Sequence, residues 1–208
     1  MNSNPSHIIY VPRDTTAVSL GADAIATTIE TIAKQKQLPL QVVRNGSRGL
    51  YWLEPMLEIQ TERGRVAYGP MTTADLDQFM AQECWLENEN HPRYLGLTEE
   101  IPYLKNQQRL TFARVGITDP LAVDSYCAHD GFVGLRQALK DSPQQIVTTV
   151  TDSGLRGRGG AAFPTGIKWQ TVLNTPADQK YIVCNADEGD SGTYADRMIM
   201  ESDPLCLI

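Results

Sequence analysis

The 208 residues contain four cysteines, Cys84, Cys127, Cys184 and Cys206, and none of them stands in a C-x-x-C pair. Zinc ribbons and iron–sulfur loops need thiolates grouped at short spacing. No such site is encoded here, and scattered thiols in a reducing compartment are expected to be free. Positive charge is also short: 18 Lys and Arg stand against 25 Asp and Glu, a formal net charge of −7. A nucleic-acid or membrane-surface binder would need a basic patch, so neither partner is expected. No apolar run is long enough to cross a bilayer. The first six residues, MNSNPS, have neither the basic nor the apolar region of a signal peptide, so a cytoplasmic location is expected. Histidine is scarce, with three copies, and repeats and low-complexity tracts are missing. What remains, 41% hydrophobic and 21% charged, is the make-up of an ordinary globular chain with room for one medium domain or two small ones.

In chain order, residues 7–12 read as a short strand. Residues 23–37 read as an amphipathic helix carrying Ile25, Ile29, Ile32 and Ala33 on one face. Residues 38–44 form a second predicted strand, closed by the turn Asn45-Gly-Ser47. Residues 55–60 and 66–68 alternate like a hairpin, and 72–81 begins with capping residues Thr72, Thr73 and Asp75. This β-α-β-β-β-α order predicts a thioredoxin-like α/β domain over residues 1–82, with no cysteine in it. Residues 83–109, polar and rich in Asn, Glu and Pro, read as a linker. Trp85, Tyr94 and Tyr103 suggest that it packs on a surface. Residues 110–115 are expected to be extended, and 121–128 and 132–140 to be helices.

The densest chemistry lies in residues 154–197. A glycine-rich run, Gly154-Leu-Arg-Gly-Arg-Gly-Gly160, leaves backbone N–H groups bare beside two arginines. A turn, Phe163-Pro-Thr-Gly166, leads into a short predicted helix, 167–173, holding Lys168. Residues 180–184, KYIVC, read as a buried strand that ends in Asn185-Ala-Asp-Glu-Gly-Asp190. Polar groups at a strand end facing a crevice are a usual ligand site in α/β folds. A surface loop after a core strand is the plainer reading. The run 157–162 also fits the G-x-G-x-x-A dinucleotide fingerprint, with Asp187 downstream, provided that a strand precedes it. Against that strand, Ser142-Pro-Gln-Gln145 is a capping box with proline at the first helical position. Residues 143–152 are therefore expected to be helical.

The runs RGRGGAAFPTGIKW, KYIVCNADE and GTYADR resemble the flavin-binding, NADH-oxidising subunits of respiratory complex I and their relatives. Those relatives include NAD-reducing hydrogenases and the β subunits of NAD-dependent, molybdenum-containing formate dehydrogenases. A cysteine-free thioredoxin-like domain ahead of the flavin segment makes the formate dehydrogenase β subunit the best match. The resemblance implies an α/β fold in which FMN and NAD(H) share one cavity, not an ordinary Rossmann fold. Residues 110–208 would be the N-terminal part of that domain.

Carried over by position, the resemblance implies FMN contacts from Gly157, Arg158, Gly159, Lys168, Asn185 and Asp187. Gly160, Ala161 and Phe163 would line the NAD(H) side. Glu188 and Asp190 lie in the loop where the family uses an acid for the dinucleotide, although Gly189-Asp190 departs from the complex I pattern. No general base and no metal ligand are implied. The implied activity is diaphorase chemistry, passing electrons between NAD(H) and iron–sulfur clusters through FMN, with iron–sulfur subunits as partners. A 4Fe-4S cluster is expected only beyond residue 208, which makes this a fragment or a truncated product. A non-catalytic scaffold that docks partner subunits is the alternative, as are a hydrogenase or complex I flavin subunit.

Overall fold

The computed structural model describes residues 7–208. The N-terminal segment read as lacking a signal peptide lies outside the described residues. Two compact units form: Met1–His129 with Asp187–Ile208, and Asp130–Ala186.

The first unit is a mixed α/β structure built on one five-stranded sheet. Its strands are β1 (His7–Tyr10), β2 (Leu40–Val43), β3 (Leu57–Thr61), β4 (Gly64–Tyr68) and β5 (Tyr94–Leu97), in the order β2-β1-β3-β4-β5. β1 and β2 run parallel, so they need a crossover, and α2 (Ala22–Gln35) supplies it after the short α1 (Thr15–Ser19). The apolar spacing read from the sequence is the reason α2 packs: Ile25, Ala26, Ile29 and Ala33 are buried on its inner face. β3 is antiparallel to β1 and forms a hairpin with β4 around Glu62 and Arg63. α3 (Leu76–Ala81) follows a 3₁₀ turn whose capping box joins Thr72 and Asp75, where the sequence predicted a capped helix. The β-α-β-β-β-α order of the thioredoxin-like reading is thus realised.

The pleat divides the sheet into two packed faces. Ile9, Leu57, Ile59, Val66 and Tyr68 join Ile25, Ile29, Leu76 and Phe79 in the main core. Ala67 faces the other way, with Leu50, Met56 and Leu104. Phe79 is fully buried with its ring edge-on to Tyr68, 5.2 Å between centroids. Truncating such a ring to alanine costs about 3–5 kcal/mol.

Two expectations for the first unit differ from the structure. The stretch read as a linker contributes β5 and α4 (Pro102–Lys105), because Tyr94 and Leu97 find apolar partners on the main core. Residues 110–118 are not extended; they coil through successive turns, with Val115 N–H donating to Phe112 O and Ile117 N–H to Arg114 O. Arg65 favours that coil: its guanidinium lies 3.4 Å from the Tyr10 ring centroid and donates to Gly116 O and Ile117 O. α5 (Val123–Ala128) completes the run.

The second unit holds α6 (Val133–Ala138), α7 (Pro143–Asp152) and α8 (Thr165–Asn174). α7 spans the residues expected for it: Ser142 Oγ accepts from Gln145 N–H, and Gln145 Oε1 accepts from Ser142 N–H. The glycine loop therefore follows a helix, and the strand that a Rossmann fingerprint requires is absent at that place. The predicted strand 180–184 does not form. No ladder partner lies beside it among the described residues, and Tyr181, Ile182 and Val183 are 79%, 100% and 88% exposed. A strand is held by its neighbours, and an apolar run alone cannot make one. α9 (Ala195–Ser202) belongs to the first unit.

Candidate functional site

In the second unit the glycine run is closed into a loop by backbone bonds. Gly157 N–H donates to Phe163 O at 2.9 Å, Thr165 N–H to Leu155 O at 2.9 Å, and Arg156 and Pro164 form an antiparallel bridge. Arg156 Nη1 ties the far side by donating to Ala162 O. Arg158, Gly159, Gly160 and Ala161 form the exposed tip, and Phe163 is exposed at its base. Lys168, on the first turn of α8, turns back over this loop: its Nζ stands 5.8 Å from the Phe163 ring centroid. A Cβ on Gly157 would come within 3.3 Å of that Nζ, so a side chain there would crowd the ammonium.

The electrostatics favour an anion. α8 starts at Pro164 with no side-chain cap; Leu155 O takes the Thr165 N–H, and the amides after it and the positive end of the helix dipole are left to a ligand or water. An ammonium on that same turn is unfavourable for the helix alone and becomes favourable when a negative group is bound. The exposed glycine tip, an uncapped helix start, Lys168 and Arg158 are groups that could hold phosphate or another anion. Lys180 serves the opposite end of α8, donating to Val172 O and Leu173 O.

The remaining predicted residues continue the chain. Asn185 is exposed in the second unit, whereas Asp187, Glu188 and Asp190 belong to the first. Asp187 and Asp190 are exposed, and Asp187 Oδ2 folds close to Gly189. Glu188 is half-buried and already engaged: Oε1 accepts from Asp196 N–H at 2.9 Å and Oε2 from Arg197 N–H at 3.1 Å. It caps α9. Sequence reasoning missed a cavity of about 260 Å³ in the first unit, lined by Gly49, Tyr103, Arg109, Phe112, Tyr194 and Met198. The RNGSRGLYW run and the aromatic residues of the linker were its only signals. Among the described residues, no group of three or more His, Cys, Asp and Glu could hold a metal ion. Among them, too, no helix is long and apolar enough to cross a membrane.

Residues 150–208 match the family model of the Nuo51 FMN-binding domain. That Nuo51-like segment holds the glycine loop, Lys168 and the acidic loop. Relatives agree with it. The chain is 51% identical over 104 residues to NADP-reducing hydrogenase subunit HndC of Solidesulfovibrio fructosivorans, covering 50% of this chain and 21% of that one. It is 50% identical over 95 residues to the NADH-quinone oxidoreductase F 2 subunit of Rhizobium meliloti, covering 45% and 23%. NAD-reducing hydrogenase HoxS subunit alpha of Cupriavidus necator is 49% identical over 70 residues, covering 34% and 12%. The chain spans less than a quarter of the length of these relatives. A crystal structure of an NAD+-reducing nickel–iron hydrogenase in the H2-reduced state aligns with 95% of this chain and 33% of its own, at 21% identity and a TM-score of 0.35.

Proposed function

We propose that the chain is the N-terminal part of an NADH-oxidising flavin subunit, one that passes electrons between NAD(H) and iron–sulfur clusters in a multi-subunit cytoplasmic dehydrogenase. The observation that carries this reading is the closed glycine loop with Lys168 over it at an uncapped helix start, inside the Nuo51-like segment. The residues fit FMN and NAD(H). Gly157, whose missing Cβ leaves room beside Lys168, joins Arg158, Gly159 and Lys168 in offering backbone and cations to the flavin's phosphate and anionic ring, while Asn185 and Asp187 offer hydrogen bonds to its ring or ribityl groups. Gly160, Ala161 and Phe163 give the dinucleotide a flat, apolar approach, and Glu188 and Asp190 stand in the loop that follows. When bound, the cofactors supply the hydride and one-electron chemistry. The protein's part is to hold them and stabilise negative charge with Lys168.

Within this reading, residues 1–82 act as a cluster-free docking module whose sheet is completed by β5 from 83–109, ahead of the flavin-binding part, 110–208. A sheet without cysteine ahead of a flavin segment supports membership of a formate dehydrogenase, as its β subunit. The relatives' names support a second reading, the flavin subunit of an NAD-reducing hydrogenase or of complex I.

FMN binding, followed by quenching of flavin fluorescence, tests the central claim. Lys168→Ala is expected to weaken binding by about ten- to hundredfold, since a hydrogen bond to a charged group contributes roughly 1.5–3 kcal/mol. Unchanged binding in this variant would remove Lys168 from the site. Formate-dependent NAD+ reduction in the assembled enzyme separates the two memberships.

A further inference from the structure

We propose that the N-terminal module positions the acidic loop 187–190, acting through α9, with Glu188 as the pin. Only the choice of ligand rests on the dinucleotide reading above; the mechanical coupling does not. A helix as short as α9 is marginal by itself, so it is held by what it touches. Those contacts run to the module. Glu201 accepts from Thr15 N–H at 2.8 Å and from Thr15 Oγ1 at 2.7 Å. Arg197 donates to Thr16 Oγ1 at 3.2 Å and lies 4.9 Å from the Tyr51 ring centroid. The Tyr194 ring meets Tyr51 edge-on at 4.7 Å.

Packing closes the same joint. Ser202 is buried against Gly46, where a Cβ would fall 2.1 Å from Ser202 Oγ, and Met198 is buried beside Gly49. The turn that follows β2 is therefore a seat shaped for this helix. Arg114, in the coil that ends on Arg65's carbonyl partners, pairs with buried Asp203 at 2.9 Å just past the helix end.

At the other end of α9, Glu188 bends the loop back onto the helix. Its φ of +51° is one that residues with a side chain rarely adopt, and both of its oxygens take amides of α9. Strain of that kind persists only where the surroundings enforce it. Glu188 is thus a positioning residue. Asp187 and Asp190, on either side of the pin, keep exposed carboxylates whose place is set by Tyr51, Thr15 and Thr16, far away in sequence.

Hydrogen exchange of the purified chain, read at the amides of residues 187–197, tests the coupling. Tyr51→Ala alters neither the loop nor α9, and it is expected to speed that exchange tenfold or more while the amides of β3 and β4 stay protected. Glu188→Ala should free the Asp196 and Arg197 amides to a similar degree, and Glu188→Gln, which keeps one acceptor, should restore part of the protection. If Tyr51→Ala leaves the region 187–197 unchanged with the sheet intact, the proposal is overturned. It is overturned equally if Glu188→Ala exchanges like wild type. NADH titration on the same samples separates the two claims. Weaker binding by Tyr51→Ala, threefold or more, supports positioning of a dinucleotide site, and equal binding overturns it. A wild-type chain that ignores NADH sinks the dinucleotide reading, and exchange still decides whether the module holds the loop.

Discussion

Glu54 shows how much one side chain can hold in this fold. It is 4% exposed, accepts from Ser47 Oγ at 2.6 Å and from Met56 N–H at 2.9 Å, and burial pushes its pKa from 4.5 up to about 8. A carboxyl raised in this way keeps a proton in the folded state that the unfolded chain has released. Its contribution is therefore greatest at low pH and falls as pH rises from about 4.5 to about 8, by at most about 1.4 kcal/mol per pH unit. Burial raises Asp14 and Asp203 too, with the same sign. In Glu54→Gln the amide can accept from Met56 and donate to Ser47, so urea midpoints measured from pH 5 to pH 8 should lose most of this slope and match wild type near pH 5. A second buried acid, Glu58, lies 3.7 Å from Arg48 and 3.3 Å from Arg65 and also accepts from Asn45 Nδ2 at 3.2 Å. None of these roles was legible in RNGSRGLYWLEP, because a lone acid in a sequence does not say which arginine will be buried beside it. Glu188 carries the same lesson. Its position in the motif was readable, but its partners are amides eight and nine residues later, and the left-handed turn that brings them together leaves no trace in composition.

At the scale of elements, the local signals were read well and the long-range ones were not. The capping box at Ser142 and the apolar face of α2 are short-range patterns that involve only the helix itself, and both helices form where they were expected. The run 180–184 has the composition of a strand, but a strand is defined by partners elsewhere in the chain. β5 is the converse: a polar, proline-rich neighbourhood hid four residues that β4 recruits. Gly166 is a further long-range feature, since it lets α8 meet α7 where a Cβ would fall 2.2 Å from Thr151 Oγ1 and 2.7 Å from Thr151 Cα. Gly166→Ala should force the two helices apart. A loss of about 1–3 kcal/mol is expected from overpacking of this kind, to be read from the thermal unfolding of residues 130–186 followed by Trp169 fluorescence.

For the molecule as a whole, the two units differ sharply in what they bury. Of the buried apolar side chains among the described residues, Val147 alone belongs to the second unit, while Leu155, Ile167, Trp169 and Val172 there are about half exposed or close to it. Small cores are weak cores. Amide exchange over residues 143–174 is therefore expected to outpace that of β1, β3 and β4 by orders of magnitude, and equal protection in both units would contradict this assignment of stability. The first unit has a different exposure to manage, its two free sheet edges. β2 is four residues long, and β5 is broken by Gly96 at φ +84° and by a register slip opposite Ala67 and Tyr68. Neither edge offers a long, flat row of amides and carbonyls for another chain to pair with. The sheet is thereby guarded against polymerising through its own borders, and the hazard of self-association passes to the KYIVC run, which has no ladder partner among the described residues and where three large apolar side chains meet water.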